Sequence, residues 1–191
     1  MRAKYETAML QHPDEISEFT ALLKSEGVRS YLEIGSKHGG SLWRVGCALP
    51  KGSRIVSIDL PHGDESFKVT KPNLEACIER LRGIGQDAHL HIGDSTAPEA
   101  IAFAERLGSY DCVFIDANHT EPFVRADWAT YGQLGKMVAF HDIGWIEPPN
   151  FPAHKMKIEV PKVWAELKQH YEHLEIKHDK GHNGIGVLWR S

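Results

Sequence analysis

Apolar residues recur along this chain in two alternating rhythms. Ile16, Phe19, Leu22 and Leu23 follow Pro13 at helical spacing and stop at Gly27, which predicts a first helix. Ser30 to Ile34 then reads as a strand, residues 40–48 as a helix, and residues 54–59, rich in Ile and Val, as a strand buried on both faces. The alternation continues. Leu74, Cys77, Ile78 and Leu81 keep helical spacing after Pro72, Ala88 to Ile92 forms a third strand, and Pro98 to Leu107 the next helix. Tyr110 to Asp116 is a fourth strand, Val124, Trp128, Tyr131 and Leu134 mark one helical face, and Lys136 to Asp142 is a fifth strand.

The rhythm then breaks. Gly144 to Val160, interrupted by Pro148, Pro149 and Pro152, is too long for an ordinary connection and reads as a lid over a site. Trp145, Phe151 and Met156, with His154, Lys155 and Lys157 between them, could roof a pocket there. Pro161 opens a helix carrying Val163, Trp164, Leu167 and Tyr171. Two strand-like runs, His173 to Lys177 and Gly184 to Trp189, flank the short link Asp179 to Asn183, which favours an antiparallel hairpin. The expected fold is α/β: a doubly wound, mostly parallel seven-stranded sheet with helices on both faces and a C-terminal antiparallel hairpin. No repeat or shift in composition divides the chain, so residues 1–191 are expected to form one domain.

Composition narrows the function classes. The 191 residues are 41% hydrophobic and 25% charged, with a formal net charge of −4, so no basic excess advertises nucleic acid or an anionic membrane. The apolar runs are strand-sized, and the segment beginning Met1-Arg2-Ala3-Lys4 lacks the apolar stretch of a signal peptide; a cytoplasmic location is expected. Cys47, Cys77 and Cys112 are odd in number and widely spaced, which argues against a disulfide framework or a zinc site.

Candidate chemistry gathers at strand ends. The stretch Glu33-Ile34-Gly35-Ser36-Lys37-His38-Gly39-Gly40 leaves the first strand and opens a helix, and Asp59 ends the second strand. Glycines in such a turn let the backbone approach a ligand, and a second-strand acid can accept ribose hydroxyls, so this half of the sheet is read as nucleoside-binding. Over essentially its whole length the chain resembles class I S-adenosylmethionine-dependent methyltransferases. Glu33 to Gly40 is similar to their first motif, Asp59 to their ribose acid, Gly93-Asp94-Ser95 to their adenine-contacting turn, and the terminal hairpin to their reversed last strand. The resemblance implies S-adenosylmethionine as cofactor, with Glu33, Gly35, Ser36, Gly39, Asp59, Asp94, Ser95 and Asp116 holding it. The spacing Gly35-x-x-x-Gly39 differs from Gly-x-Gly-x-x-Gly and disfavours NAD.

A narrower resemblance rests on Phe114-Ile115-Asp116-Ala117-Asn118-His119, then Asp127-Trp128, then Val138 to Ile143. These segments resemble the branch containing macrolide-sugar O-methyltransferases and cephalosporin-hydroxylase-like proteins. That likeness implies a metal ligand and a base from the Asp-x-x-His segment and an acidic pair after strand five. Asp116, His119 and Asp142 match; His141 stands where those relatives carry an acid. Strands four and five are neighbours in the usual order, about 4.8 Å apart, so Asp116 and Asp142 can converge on one divalent ion. Oxygen ligands alone suit Mg²⁺; a contribution from His141 tilts the site toward Mn²⁺, Fe²⁺ or Zn²⁺. Because neighbouring strand residues face opposite ways, His141 joins only if the strand has ended.

His119 is the expected general base, since an imidazole with a pKa near 6.5 can take a hydroxyl proton as the oxygen attacks the sulfonium methyl. The expected activity is methyl transfer to a hydroxyl of a small molecule of sugar or natural-product type. Alternatives are a metal-dependent hydrolase or oxygenase using Asp116, His119, His141 and Asp142, or a catalytically silent binding module. Self-association through the first helix or the hairpin edge is compatible with the pattern.

Overall fold

The computed structural model describes residues 11–61, 70–148, 150, 152, 157–178 and 183–190. Helices and strands alternate: α1 (Pro13–Ser25), β1 (Ser30–Ile34), α2 (Gly40–Ala48), β2 (Arg54–Asp59), α3 (Thr70–Gly83), β3 (Asp87–Ile92), α4 (Pro98–Arg106), β4 (Tyr110–Ile115), α5 (Glu121–Tyr131), β5 (Gly135–His141), α6 (Val160–Leu167), β6 (Glu172–Ile176) and β7 (Ile185–Trp189). The seven strands form one sheet in the order β3-β2-β1-β4-β5-β7-β6. Pairings among β1 to β5 are parallel, whereas β7 runs antiparallel to both β5 and β6. The expected fold class holds, including the reversed terminal hairpin.

Strand alternation sorts the core into two layers. Tyr31, Ile55, Cys112, Phe114 and Ala139 face α1, α2 and α3 through Phe19, Leu42, Val45 and Leu81. Leu32, Ile34, Val56, Val113, Val138 and Phe140 face the other way, against Ala104 of α4, Val124 of α5 and Trp164 of α6. With both faces covered, the central strands are apolar at most positions on either side, which is why their sequences read as nearly continuous runs. Small residues carry the tightest contacts: a side chain at Gly186 would start 2.6 Å from the Trp164 ring.

The order of the strands places the site. Strand order reverses between β1 and β4, the point in a doubly wound sheet where the crossovers leave to opposite sides and ligands bind at the carboxyl ends of the strands. Element ends differ slightly from expectation: β4 stops at Ile115 and β5 at His141, so Asp116 and Asp142 lie just beyond their strands. α6 ends at Leu167, and Tyr171 packs edge-on against Trp128 from the following turn.

Candidate functional site

The glycine turn after β1 is packed to backbone contact. Gly35 adopts φ +90°, its N–H donates to the Ile58 carbonyl, and a Cβ there would lie 2.2 Å from the Asp116 carbonyl oxygen. Any L side chain would push the turn away from the end of β4. Gly39, at φ +78°, caps α2 and faces Cys77. Beneath the turn, Glu33 is wholly buried: its carboxylate accepts hydrogen bonds from the Tyr31 phenol at 2.6 Å and the Ser41 hydroxyl at 2.7 Å. Burial outweighs these bonds and pushes its pKa up to about 7. Glu33 therefore braces the turn from below, and Ser36 is likewise buried, accepting from the Ser57 hydroxyl at 2.8 Å.

Asp59 ends β2 at the mouth of the same cleft. Its carboxylate accepts the backbone N–H of Lys37, a residue held at φ +51°, and that of Leu60 at 2.6 Å. Desolvation raises its pKa despite both donors. The Asp59 carbonyl accepts the Gly93 N–H at 2.8 Å and so ties the turn after β3 to the end of β2. In that turn Asp94 is exposed and accepts from the backbone and hydroxyl of Thr96, both at 2.8 Å. The Ser95 hydroxyl donates to buried Asp127 of α5 at 2.8 Å, and the Ser95 carbonyl accepts from the Tyr131 phenol.

Beyond β4 and β5 lies a cluster of acids and imidazoles. Asp142 adopts φ +63°, rare for a residue with a side chain, and this kink breaks the strand alternation. His141 and Asp142 consequently come together, with His141 Nδ1 3.2 Å from Asp142 Oδ1 and 3.4 Å from Asp116 Oδ1. His119 Nδ1 approaches the other Asp142 oxygen at 3.0 Å. Burial works against charge on His119, but the Asp142 bond and nearby Asp116 prevail and raise its pKa. Burial would also raise the Asp142 carboxyl, yet His119 and His141 hold it well below the carboxylate range.

Asp116, His119 and Asp142 each bring one donor atom within 4.8 Å of the others. Asp142 Oδ1 is buried, with the His141 ring nitrogen 3.2 Å away as its polar neighbour. These residues fit a divalent ion, and their mixed oxygen and nitrogen donors suit Mn²⁺, Fe²⁺ or Zn²⁺ better than Mg²⁺. His141, expected among the ligands, stands behind this trio, its other nitrogen 3.7 Å from buried Glu15 of α1. The kink supplied the strand end that its participation required, but the imidazole fills the space between three carboxylates.

Sequence reasoning missed three residues here. Gln11 donates from its amide to Asp116, and Glu15 accepts the Gly184 N–H at 3.0 Å, joining α1 to the terminal hairpin. Glu15 was detectable as an acid on the apolar face that Phe19 and Leu23 share. Asp127 was noted only within a motif and not given a role. His38 of the glycine turn lies 3.1 Å from the Asn73 amide. Of the expected lid, Phe151, His154, Lys155 and Met156 lie outside the described residues, as do Asp179 to His182 of the hairpin link. Its described end reaches the site: the Glu159 N–H donates to the His119 carbonyl at 2.7 Å.

Comparison with known proteins gives a consistent assignment. Residues 32–143 match the family described as methyltransferase domain. Caffeoyl-CoA O-methyltransferase of Medicago sativa is 24% identical over 162 residues, 77% of this chain and 60% of that protein. Tricin synthase 1 of Oryza sativa subsp. japonica is 31% identical over 111 residues, 58% of this chain and 43% of that protein. The chain thus spans about 60% or less of these relatives' length. Among solved structures, an O-methyltransferase from Bacillus cereus in complex with SAH aligns with TM-score 0.68 at 18% identity, covering 97% of this chain and 84% of that one. TomG from Streptomyces achromogenes, involved in tomaymycin synthesis and in complex with SAM, aligns with TM-score 0.66 at 20% identity, covering 97% and 83%.

Proposed function

The chain belongs to the methyltransferase-domain family, and from that premise we propose that it transfers the methyl group of S-adenosylmethionine to a hydroxyl oxygen of a small molecule. The observation that carries this reading is the His119–Asp142 pair, 3.0 Å apart, which groups with Asp116, the residue whose backbone abuts Gly35. With the ribose on Asp59 and the chain of the cofactor running over Gly35, the sulfonium methyl is directed toward His119. An acceptor hydroxyl placed in line attacks the methyl carbon; the carbon–sulfur bond breaks as the carbon–oxygen bond forms, and S-adenosylhomocysteine leaves.

His119 takes the hydroxyl proton on Nε2, while Asp142 fixes its Nδ1–H and stabilises the imidazolium. Orientation contributes more than base strength, because the oxygen, carbon and sulfur must be collinear for displacement. A divalent ion bound by Asp116, His119 and Asp142 would lower the pKa of the hydroxyl. In that mode His119 serves as ligand and the carboxylates orient the acceptor. The acceptor class follows the relatives' names only loosely, so caffeoyl-CoA, simple phenols and sugar hydroxyls form the first panel.

Calorimetry with S-adenosylhomocysteine tests the cofactor assignment directly. Wild-type protein is expected to bind it, Asp59→Ala to bind it more weakly, and His119→Ala to bind it normally while transfer slows. Absence of binding to the wild-type protein would sink the methyl-donor reading; equal loss in both variants would overturn the assigned roles.

A further inference from the structure

We infer that Glu159, the N-cap residue of α6, is a positioning residue for His119: its N–H and its carboxylate grip the chain on either side of Thr120 and so keep the imidazole on Asp142. The inference rests on the reading of His119 as the base, and adds what holds that base in place. Glu159 lies outside residues 32–143, the stretch that matches the methyltransferase family.

His119 sits in the link of residues 116–120, between the end of β4 at Ile115 and the start of α5 at Glu121. The first N–H groups of a helix have no acceptor within it, and an N-cap side chain ordinarily supplies one. Thr120 occupies that place with extended backbone, but its side chain caps nothing. Its hydroxyl and its N–H both donate to Asn118 Oδ1, at 2.8 and 3.0 Å. Pro122 has no N–H, and that of Phe123 donates to the Thr120 carbonyl at 3.1 Å. The Glu121 N–H remains, and it donates to Glu159 Oε2 at 3.2 Å.

The same residue holds the other side of Thr120. Its own N–H donates to the His119 carbonyl at 2.7 Å, so the main chain on both flanks is fastened to one point of α6. That point is firm. Lys162 Nζ donates to Glu159 Oε1 at 2.7 Å, and Val160, Val163 and Trp164 root α6 in the core. Lys162 and the Glu121 N–H hold the Glu159 carboxyl below its ordinary value, which keeps it charged beside a helix N-terminus that favours an anion. With the ring tied to Asp142 at 3.0 Å and the main chain tied to α6, two separate elements set the direction of His119 Nε2. A displacement of about 1 Å at a reacting group can cost about 10²-fold in rate, so this clamp bears on the chemistry and not only on the helix.

The two roles are separable. Removing a carboxylate that merely caps α5 would lower the melting temperature and leave the His119 ring where it is. Removing a positioning residue changes the ring's own signal.

The experiment follows the His119 Nδ1–H proton by nitrogen-edited NMR of chelator-treated protein at neutral pH, the resonance being assigned by its absence from His119→Gln. Wild type should show a sharp downfield signal, and so should Glu159→Gln, whose amide oxygen can accept from Glu121. In Glu159→Ala the signal should broaden or vanish, while thermal melts show a folded protein and S-adenosylhomocysteine affinity by calorimetry stays within about twofold of wild type. A signal as sharp in folded Glu159→Ala as in wild type overturns the inference and leaves the methyl-donor reading intact. Loss of S-adenosylhomocysteine binding in step with the signal also overturns it, since the whole cleft would then have loosened. A wild-type protein that binds no S-adenosylhomocysteine overturns the methyl-donor reading, while the comparison of signals still decides the role of Glu159. Absence of the signal from wild type overturns the inference together with the His119–Asp142 pairing. Should Glu159→Ala not fold, Glu159→Asp decides, because its carboxylate stops one methylene short of the Glu121 N–H: a broadened signal supports the inference and a sharp one overturns it.

Discussion

Replacing Glu33 by Gln should remove a pH dependence from the stability of this protein. Glu33 lies wholly buried in β1, and burial lifts its pKa from about 4.5 to about 7 even though the Tyr31 and Ser41 hydroxyls both donate to it. Because the folded pKa lies above the unfolded one, the native protein retains a proton between these limits that the unfolded chain gives up. Stability contributed by this group is therefore full below about pH 4.5, falls as pH rises through the window, and is lost above about 7. The shift is 7 − 4.5 = 2.5 pH units, which at about 1.36 kcal/mol per unit amounts to roughly 3 kcal/mol. Gln fills the same space, cannot titrate, and finds acceptors in the two hydroxyls once they rotate. Urea unfolding at pH 5, 6, 7 and 8 measures the difference between the two proteins, in which all other titrating groups cancel. Relative to wild type, Glu33→Gln should gain stability across that range by an amount approaching this figure. A difference that stays constant with pH, or that moves in favour of the wild type, would refute the assignment of a costly buried charge beneath the glycine turn.

Other perturbations probe the cleft itself. Gly35→Ala combines φ +90° with a Cβ at 2.2 Å from the Asp116 carbonyl, so it should lose several kcal/mol in urea unfolding, at least the ~1–3 kcal/mol of strained backbone alone, and bind S-adenosylhomocysteine poorly. Asp142 sits at φ +63°, so Asp142→Gly should be more stable than Asp142→Ala by about 1 kcal/mol although both lose the carboxylate; equal stabilities would show that the kink is not strained. Chelator-treated protein should bind Mn²⁺ at one site per chain by calorimetry, and Asp116→Ala should abolish that binding. Unaltered Mn²⁺ binding in this variant would remove Asp116 from the ligand set.

The outline of the fold was legible because it depends on local pattern. Runs of Ile and Val between polar turns announce strands buried on both faces, and Gly35 and Gly39 mark places where only a backbone without Cβ fits. Asp59 and the turn at Gly93 stand at the strand ends where the pattern put them. What periodicity could not reach was the direction of side chains once a strand has stopped. Alternation predicts that His141 and Asp142 diverge, but a left-handed residue at 142 turns both toward Asp116. Glu15 and Gln11, more than a hundred residues before that cluster, reach it only because α1 packs across the sheet.

The sequence by itself determined the class of the fold, the succession of its strands along the chain and the glycine turn after β1, since these follow from hydrophobic period and backbone sterics. Only the tertiary structure decided which polar groups meet. His119 meets Asp142, His141 is drawn in among Glu15, Asp116 and Asp142, and the Ser95 hydroxyl donates a hydrogen bond to Asp127, because strand order and helix packing bring together residues that no spacing rule relates. The physical reason is range: backbone preference acts over a few residues, whereas hydrogen bonds and charge pairing act between whatever groups the folded core holds within about 3 Å.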